Sequence, residues 1–214
     1  LEMIWTSVPT LVLTSLIVYG ISTWNEITDP APEEAVTIEI YAKQFDWTAR
    51  YAGEDNTLGR SGYRLIEGAN IPGVDMKDPA ASDDKMVKGE IHIPLGRSVN
   101  FVMHSRDVIH SAYMPHFRAQ MNCVPGLTTN FHFVPTITTA DMREELGNDE
   151  FNYLLLCNKI CGTAHYNMQM DIVVDTPEDY EKWLEGKKTM AEQLGVKAAD
   201  SVELSQASEG GQVT

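Results

Sequence analysis

The chain has 214 residues, of which 43% are hydrophobic and 22% charged, and its formal net charge is −15. This length suits one globular domain with short additional segments, and the composition is neither fibrous nor low in complexity. The negative charge argues against nucleic acid as a partner, because phosphate backbones are bound by clustered Lys and Arg. An acidic surface either attracts a cationic protein or simply keeps the domain soluble, and charge alone leaves both explanations open.

The first segment is apolar and uncharged from Met3 to Ile21, with Thr, Ser, Pro and Gly as interruptions. About 20 such residues span a bilayer, so we predict a retained transmembrane helix over residues 1–24. A signal peptide is disfavoured because Glu2 stands where a basic region is expected. A buried core helix is the other alternative, but such helices usually carry a polar stripe. No Lys or Arg flanks the helix to orient it by the positive-inside rule.

An acidic linker containing proline is predicted over residues 25–35, and the hydrophobic period then changes. Val36, Ile38 and Ile40 alternate with polar positions, and β-branched runs recur in EIHIPLGRSVNFVMHS, TTNFHFVPTITT and MQMDIVVD. These patterns predict an antiparallel β domain. Residues 52–88 are rich in Gly, Asp, Asn and Pro and are predicted to form a long loop insertion. Such loops are uncommon in compact domains, which suggests that a neighbouring subunit holds this one.

The C-terminal part predicts a short amphipathic helix over residues 176–194. Thr176 with Asp179 three positions later is typical of a helix cap, and Pro177 suits the first helical position. The remaining residues, 195–214, have the composition of a mobile tail.

A cluster of sulfur and nitrogen donors stands in the stretch CNKICGTAHYNMQM. Cys157, Cys161, His165 and Met168 follow one another at spacings of four, four and three. Thiolate, thioether and imidazole ligands favour copper over calcium, magnesium or manganese. A disulfide, two buried thiols without a role and a zinc site are the alternatives at this point. His110, which follows an apolar strand, is a distant imidazole that a β-sandwich can bring to this loop.

These residues also resemble a known family. The motifs DVIHS, VPG and C-x-x-x-C-x-x-x-H-x-x-M look like those of subunit II of the heme-copper cytochrome c oxidases. LEMIWTSVPTLVLTSLI is similar to that family's second transmembrane helix, and KQFDWTARY to its aromatic strand. The resemblance implies a mainly β fold, a cupredoxin-like Greek-key sandwich or barrel over residues 36–175 that carries a dinuclear copper (CuA) centre.

The resemblance also implies the ligands of that centre. The two cysteines bridge both coppers, each histidine binds one copper, and the methionine is a weak ligand. The implied ligands are His110, Cys157, the backbone carbonyl of Lys159, Cys161, His165 and Met168.

The sequence departs from the family pattern at several positions. Family members usually have Glu where this chain has Lys159, and that carboxylate binds magnesium at the interface with subunit I, so the magnesium contact is doubtful here. Phe45 stands at the tryptophan associated with electron entry, and Trp47 follows in the same motif, although a buried aromatic role suits it equally. Asp107 matches an acidic docking position, but its neighbour Arg106 is basic. We therefore expect either a cytochrome c or a cytochrome c domain of a neighbouring complex as donor.

The leading hypothesis is an electron-transfer subunit of a proton-pumping terminal oxidase. It passes electrons from the donor to heme in subunit I and contacts other oxidase subunits and membrane lipid. The expected location is the cell inner membrane, with one or two passes and the copper domain on the periplasmic side. The alternatives are a membrane-anchored copper chaperone or thiol-disulfide assembly factor, and a structural subunit with a decayed site. Nitrous-oxide reductase has a similar copper motif, but the leading helix favours the oxidase.

Overall fold

The computed structural model describes residues 1–195. Its first element is helix α1 (Glu2–Thr28), which is long and apolar enough to cross a membrane and has no buried part in its apolar stretch. The hydroxyls of Thr10 and Ser15 donate to carbonyls four residues earlier, so these polar groups are satisfied within the helix. The helix continues beyond the predicted end at residue 24. It stops where Asp29, which precedes Pro30, is held out of the helical region.

Ten strands follow within the described residues and form two five-stranded sheets. In one sheet the order is β3-β2-β1-β5-β8, and in the other it is β4-β10-β9-β6-β7. The strands are β1 (Val36–Lys43), β2 (Asp46–Tyr51), β3 (Lys85–Lys88), β4 (Glu90–Pro94), β5 (Val99–Ser105), β6 (His110–Met114), β7 (Ala119–Cys123), β8 (Thr129–Phe133), β9 (Tyr153–Cys157) and β10 (Gln169–Asp175).

This architecture confirms the predicted mainly β fold with one helix before it and a helical segment after it. The sheets are not wholly antiparallel, because each contains one parallel pair, β1 with β5 and β4 with β10. The chain crosses to the second sheet at β4 and returns to the first at β5, and this excursion lets β5 run beside β1 in the same direction. Crossings of this kind are typical of Greek-key sandwiches.

The core lies between the two sheets. The alternation seen in the sequence places Ile38 and Ile40 of β1 inside, and Phe101 and Met103 of β5 follow the same period; all four are fully buried. Ile172 of β10 belongs to the same buried cluster. Removing each such side chain from water stabilises the sandwich by about 1.5–3 kcal/mol, which gives the site at its end a rigid base.

Contacts within the chain tie the long insertion to the sandwich. The guanidinium of Arg50 on β2 pairs with the carboxylates of Glu39 and Asp84 at 2.6 and 2.7 Å, and all three side chains are buried. Arg50 also donates to the carbonyl of Gly59, whose backbone N–H donates to Asp84. The predicted loop over 52–88 ends too late, because its last four residues, Lys85–Lys88, form β3 against β2.

A helix that was not among the predicted elements lies between β8 and β9. Helix α2 (Thr139–Leu146) begins where the side chain of Thr138 accepts a hydrogen bond from the backbone of Asp141, 3.0 Å away. It ends at Gly147 in the left-handed conformation, φ 61°. The Thr-x-x-Asp spacing and the glycine are the sequence signals that mark both ends.

The C-terminal segment forms two helices rather than one over residues 176–194. They are α3 (Pro177–Glu185) and α4 (Met190–Leu194). Thr176 caps α3 through the backbone of Asp179, as its spacing indicates. Gly186 follows the end of α3, and Thr189 opens a new capping box with Glu192, so two start signals give two helices. The predicted tail from 195 lies outside the described residues, except for Gly195.

Candidate metal centre

The candidate ligands are assembled at one end of the second sheet. His110 opens β6, Cys157 ends β9, and these strands are antiparallel neighbours. The backbone N–H of Asn158 donates to the carbonyl of Ser111 at 3.1 Å, which holds the two strand ends together. The loop after β9 then returns through Met168, whose carbonyl accepts from the backbone of Cys157 at 3.0 Å. Strand pairing therefore brings the distant imidazole to the cysteine loop.

The two thiols lie at the middle of the cluster, with an imidazole on each side. The Sγ atoms of Cys157 and Cys161 are 3.8 Å apart. Nδ1 of His110 is 3.7 Å from the Cys157 sulfur, and Nδ1 of His165 is 3.5 Å from the Cys161 sulfur. The ligand atoms of His110 and both cysteines all lie within 4.8 Å of one another.

Two further donors complete the group. The carbonyl oxygen of Lys159 is 3.3 Å from the Cys157 sulfur, and the Met168 sulfur is 3.9 Å from the Cys161 sulfur. Ligands placed about 2.0–2.3 Å from a tetrahedral metal are themselves about 3.3–3.8 Å apart. The separations are close to that spacing, and Cys157 and Cys161 are free thiols rather than a disulfide in this structure. The donor set therefore fits soft metal ions, with a nitrogen ligand at either end of a thiol pair.

Burial favours the protonated form of the Cys161 thiol. It raises the pKa of Cys161 to about 11, and the neighbouring Cys157 adds to the shift. A metal ion displaces the proton of a thiol that binds it. The site therefore suits binding of a metal cation better than the role of a free, reactive thiolate. Cys123 pairs with His110 across β6 and β7, and burial raises its pKa to about 12. It is a small, fully buried core residue.

Asp107 lies directly behind His110. One carboxylate oxygen accepts a hydrogen bond from Nε2 of His110 at 2.8 Å, and the other accepts from the backbone of Gln44 at 2.7 Å. Burial raises the pKa of Asp107, but these bonds and one from the backbone of Val108 outweigh it, so its pKa is lowered. The side chain is 30% exposed and is largely occupied within the chain.

The two aromatic residues of the β1–β2 hairpin differ in their surroundings. Phe45 is half-buried, and its ring lies against Gly162, where an added Cβ would be 2.7 Å from the ring. Trp47 is fully buried, with its indole N–H 3.4 Å from the carbonyl of Met168 and its ring edge-on to His110. Phe45 is thus the outer aromatic of the pair, whereas Trp47 is part of the core.

The remaining histidines lie elsewhere. His92 stacks on Trp183 and pairs with Asp175, and His104 lies 3.4 Å from Glu39. His116 packs edge-on against the rings of Phe151 and Tyr153, and burial lowers its pKa. These contacts are structural.

Gln44 is the residue at the site for which the sequence indicated no role. Its side-chain amide donates to the carbonyl of Cys161 at 2.6 Å. Its position beside Phe45 in the aromatic motif was the available signal, but a contact over such a sequence separation requires the folded chain.

The sequence of this chain is similar to those of known proteins. The family model "Cytochrome C oxidase subunit II, periplasmic domain" matches residues 36–176. The alternative cytochrome c oxidase subunit 2 of Bradyrhizobium diazoefficiens is 35% identical over 189 residues, covering 87% of this chain and 64% of the relative. Cytochrome c oxidase subunit 2 of Thermostichus vulcanus is 24% identical, covering 89% of this chain and 61% of the relative. The chain thus spans somewhat under two thirds of the length of these relatives.

Among solved structures, the periplasmic domain of subunit II of cytochrome oxidase of Bradyrhizobium japonicum has a TM-score of 0.49 at 19% identity. The match covers 73% of this chain and 95% of that one. The family model covers most of the chain, and it includes the whole candidate metal centre. The chain belongs to the family of cytochrome c oxidase subunit II.

Proposed function

We propose that this chain is the electron-entry subunit of a heme-copper terminal oxidase. It accepts single electrons from a cytochrome c donor and passes them towards heme in subunit I. The observation that carries the proposal is the thiol pair Cys157 and Cys161, 3.8 Å apart, with His110 beside one sulfur and His165 beside the other. Two shared sulfurs between two separate imidazoles suit two metal ions rather than one.

Copper is the metal that this donor set favours. Thiolate and thioether sulfur together with imidazole nitrogen are soft ligands. A dinuclear copper centre supplies one-electron transfer, with the charge shared between the two metals. Cys157 and Cys161 would bridge the coppers, His110 and His165 would each bind one, and Met168 and the carbonyl of Lys159, already named among the donors, would be the weaker ligands.

The protein contributes rigidity and fixed ligand orientation. His110 and Cys157 sit on hydrogen-bonded strands above a packed core, so they move little when the charge of the site changes. The carboxylate of Asp107 holds the Nε2 proton of His110, which leaves Nδ1 as the lone-pair nitrogen facing the thiols. Fast transfer at a small driving force requires this limited rearrangement.

Electron entry is proposed through Phe45 and the surface around it. Its ring contacts Gly162, one residue after Cys161, whereas Trp47 is enclosed and can only act behind that surface. Ile160 and Tyr166 project from the ligand loop, and each residue is 87% exposed. These apolar groups are suited to docking a protein partner, either the donor or subunit I.

The membrane arrangement follows from the order of elements. Helix α1 would anchor the chain in the inner membrane beside subunit I, the other oxidase subunits and lipid. The copper domain would then lie on the periplasmic side, the location named in the description of the family model. Oxygen reduction and proton translocation would be activities of the whole complex.

Magnesium is not part of the proposal. The ammonium group of Lys159 cannot bind a divalent cation, and its backbone carbonyl faces Cys157 instead. The chaperone or thiol-disulfide alternative has less support, because the domain within residues 1–195 is built from two β-sheets. A thioredoxin-like factor alternates strands with helices around one sheet.

The test is a copper count combined with near-infrared absorption and low-temperature EPR. The full chain in detergent is reduced, loaded with copper and then oxidised. Two coppers per chain that share one unpaired electron are the expected result. One copper per chain, or a Cys157–Cys161 disulfide without metal, would contradict the proposal and favour the chaperone or the structural subunit.

A further inference from the structure

The turn between β1 and β2 contacts two candidate ligand environments from distant parts of the chain. One is Asp107, which supports His110, and the other is the backbone of Cys161. The backbone N–H of Gln44 donates to the carboxylate of Asp107 at 2.7 Å, and that carboxylate accepts from His110 at 2.8 Å. The side-chain amide of Gln44 donates to the carbonyl of Cys161 at 2.6 Å. One residue therefore links the environment of His110 to the backbone of Cys161, another candidate ligand.

The loop that carries Cys161 is shaped to receive this turn. Gly162 has φ +142°, and a Cβ there would lie 2.7 Å from the ring of Phe45 and 3.0 Å from the amide nitrogen of Gln44. The same hairpin approaches the far end of the loop, where the indole N–H of Trp47 faces the carbonyl of Met168 at 3.4 Å. The hairpin thus touches the ligand loop beside two of its ligands.

The contact made by Gln44 is not a by-product of core packing. The residue is exposed as a whole, so its side chain fills no cavity. Its amide nitrogen is nevertheless fixed on the Cys161 carbonyl by the shortest of the hairpin's hydrogen bonds to the site. A neutral amide at this place brings the positive end of a dipole to the backbone of Cys161.

We propose that Gln44 is a positioning residue for the candidate copper centre. This inference rests on the proposed function. The amide fixes the backbone of Cys161, and hence its sulfur, relative to His110. Its N–H dipole also stabilises the added electron, because partners behind the ligands tune both metal affinity and redox potential. Removing the donor should therefore loosen the copper and make the centre harder to reduce.

The experiment compares Gln44→Leu with the wild-type full chain, copper-loaded in detergent. Leucine is close in size and neutral, and it lacks the donor. We expect copper to be held less tightly than in the wild-type chain. Where both coppers are bound, we expect a changed copper hyperfine splitting in EPR and a reduction equilibrium constant at least threefold lower against a fixed redox couple. For one electron this is about 28 mV, since a tenfold change corresponds to about 59 mV.

Gln193→Leu is the matched control. Gln193 also donates its amide to two backbone carbonyls, those of Met86 and Lys188, at 2.9 and 2.8 Å. It lies on α4, outside the hairpin and the ligand loop. We expect this variant to lose comparable hydrogen bonds and to keep the wild-type spectrum and reduction equilibrium.

The outcomes separate the two proposals. A wild-type two-copper centre whose spectrum and reduction equilibrium are unaltered by Gln44→Leu overturns the positioning role alone. The same is true if Gln193→Leu produces the same change. Failure of the wild-type chain to form the centre overturns the proposed function and this inference together. Unfolding of the copper-free proteins is followed in parallel, so that a folded Gln44→Leu chain that loses copper counts in favour of the inference.

Discussion

Asp107 shows how one residue can look like a docking group in the sequence and support a ligand in the fold. Its carboxylate accepts hydrogen bonds from His110, from the backbone of Gln44 and from the backbone of Val108. A residue with both oxygens engaged has little capacity left for a partner. Its support of His110 follows from the structure, whereas its part in docking stays a prediction.

Substitution Asp107→Asn should weaken copper binding without removing the site. An amide keeps only one acceptor oxygen and turns its NH2 group towards a donor, so the orientation of His110 is less well fixed. We expect the dissociation constant for copper to rise about 10–100-fold, the usual cost of losing such a partner. Competition with a copper chelator measures it.

The control for this prediction is Asp46→Asn on the same hairpin. Asp46 is partly exposed, and its carboxylate lies 3.9 Å from the ammonium group of Lys43, which is not a candidate ligand. It should leave copper affinity unchanged. If Asp107→Asn slows reduction by the donor while copper affinity stays at the wild-type value, docking and not ligand support is its role.

At the level of elements, a buried ion cluster joins β1, β2 and the end of the long insertion. Arg50 lies between Glu39 and Asp84 without access to solvent. Burial raises the pKa of Asp84 to about 6, although the charge of Arg50 counteracts part of the effect. The cluster fixes the insertion to the sandwich, and its energy depends on pH.

Stability should therefore fall as Asp84 ionises. The folded state binds this proton more tightly than the unfolded chain, whose Asp pKa is about 3.9. The stabilisation that comes from the bound proton is therefore fully present below about pH 4 and is lost as pH rises through about 6. The loss is about 3 kcal/mol, from about two pKa units at 1.36 kcal/mol each. We expect the free energy of unfolding of wild type minus that of Asp84→Asn to decrease by this order between about pH 4 and pH 7.

Denaturant unfolding of the copper-free chain across this pH range is the measurement. Asp84→Asn has no proton to lose at this position, so its own unfolding free energy is the reference from which the pH-dependent part of the wild-type stability is read. A difference between the two proteins that does not vary with pH would show that Asp84 keeps an ordinary pKa.

At the scale of the whole molecule, charge and apolar exposure give different expectations for the donor. The net charge of −15 favours steering of a cationic cytochrome. Next to the ligands, however, the exposed groups include the apolar Ile160 and Tyr166 and the basic Lys159, and Arg106 is exposed beside the occupied Asp107. This surface suits a donor held in place by a neighbouring complex more than one drawn in by charge.

Reduction by an added soluble cytochrome c should accordingly depend little on salt. Raising ionic strength from about 0.01 to about 0.1 M shortens the screening length from about 30 to about 10 Å, which abolishes long-range steering. We expect the bimolecular rate constant to change less than about threefold in stopped-flow reduction. A fast reaction that loses tenfold or more would identify a freely diffusing, steered donor; an uncharged small reductant serves as the control.

The sequence by itself determined the local features of this protein. The spacing of Cys157, Cys161, His165 and Met168 places four donors on one loop, because contacts over three or four residues need no tertiary fold. Alternation of apolar residues determined the β-strands, and an uncharged apolar run determined α1. Thr176 marked a helix start through a cap that forms within one turn. Each of these signals is carried by neighbours in the chain.

Tertiary structure decided which distant residues meet. His110 reaches the cysteine loop because β6 pairs with β9, and Gln44 reaches Cys161 because the β1–β2 turn folds over it. The anchoring of the insertion by Arg50 and the enclosure of Trp47 are of the same kind. The order of strands in a sheet arises from the packing of the whole core, and no local spacing encodes it.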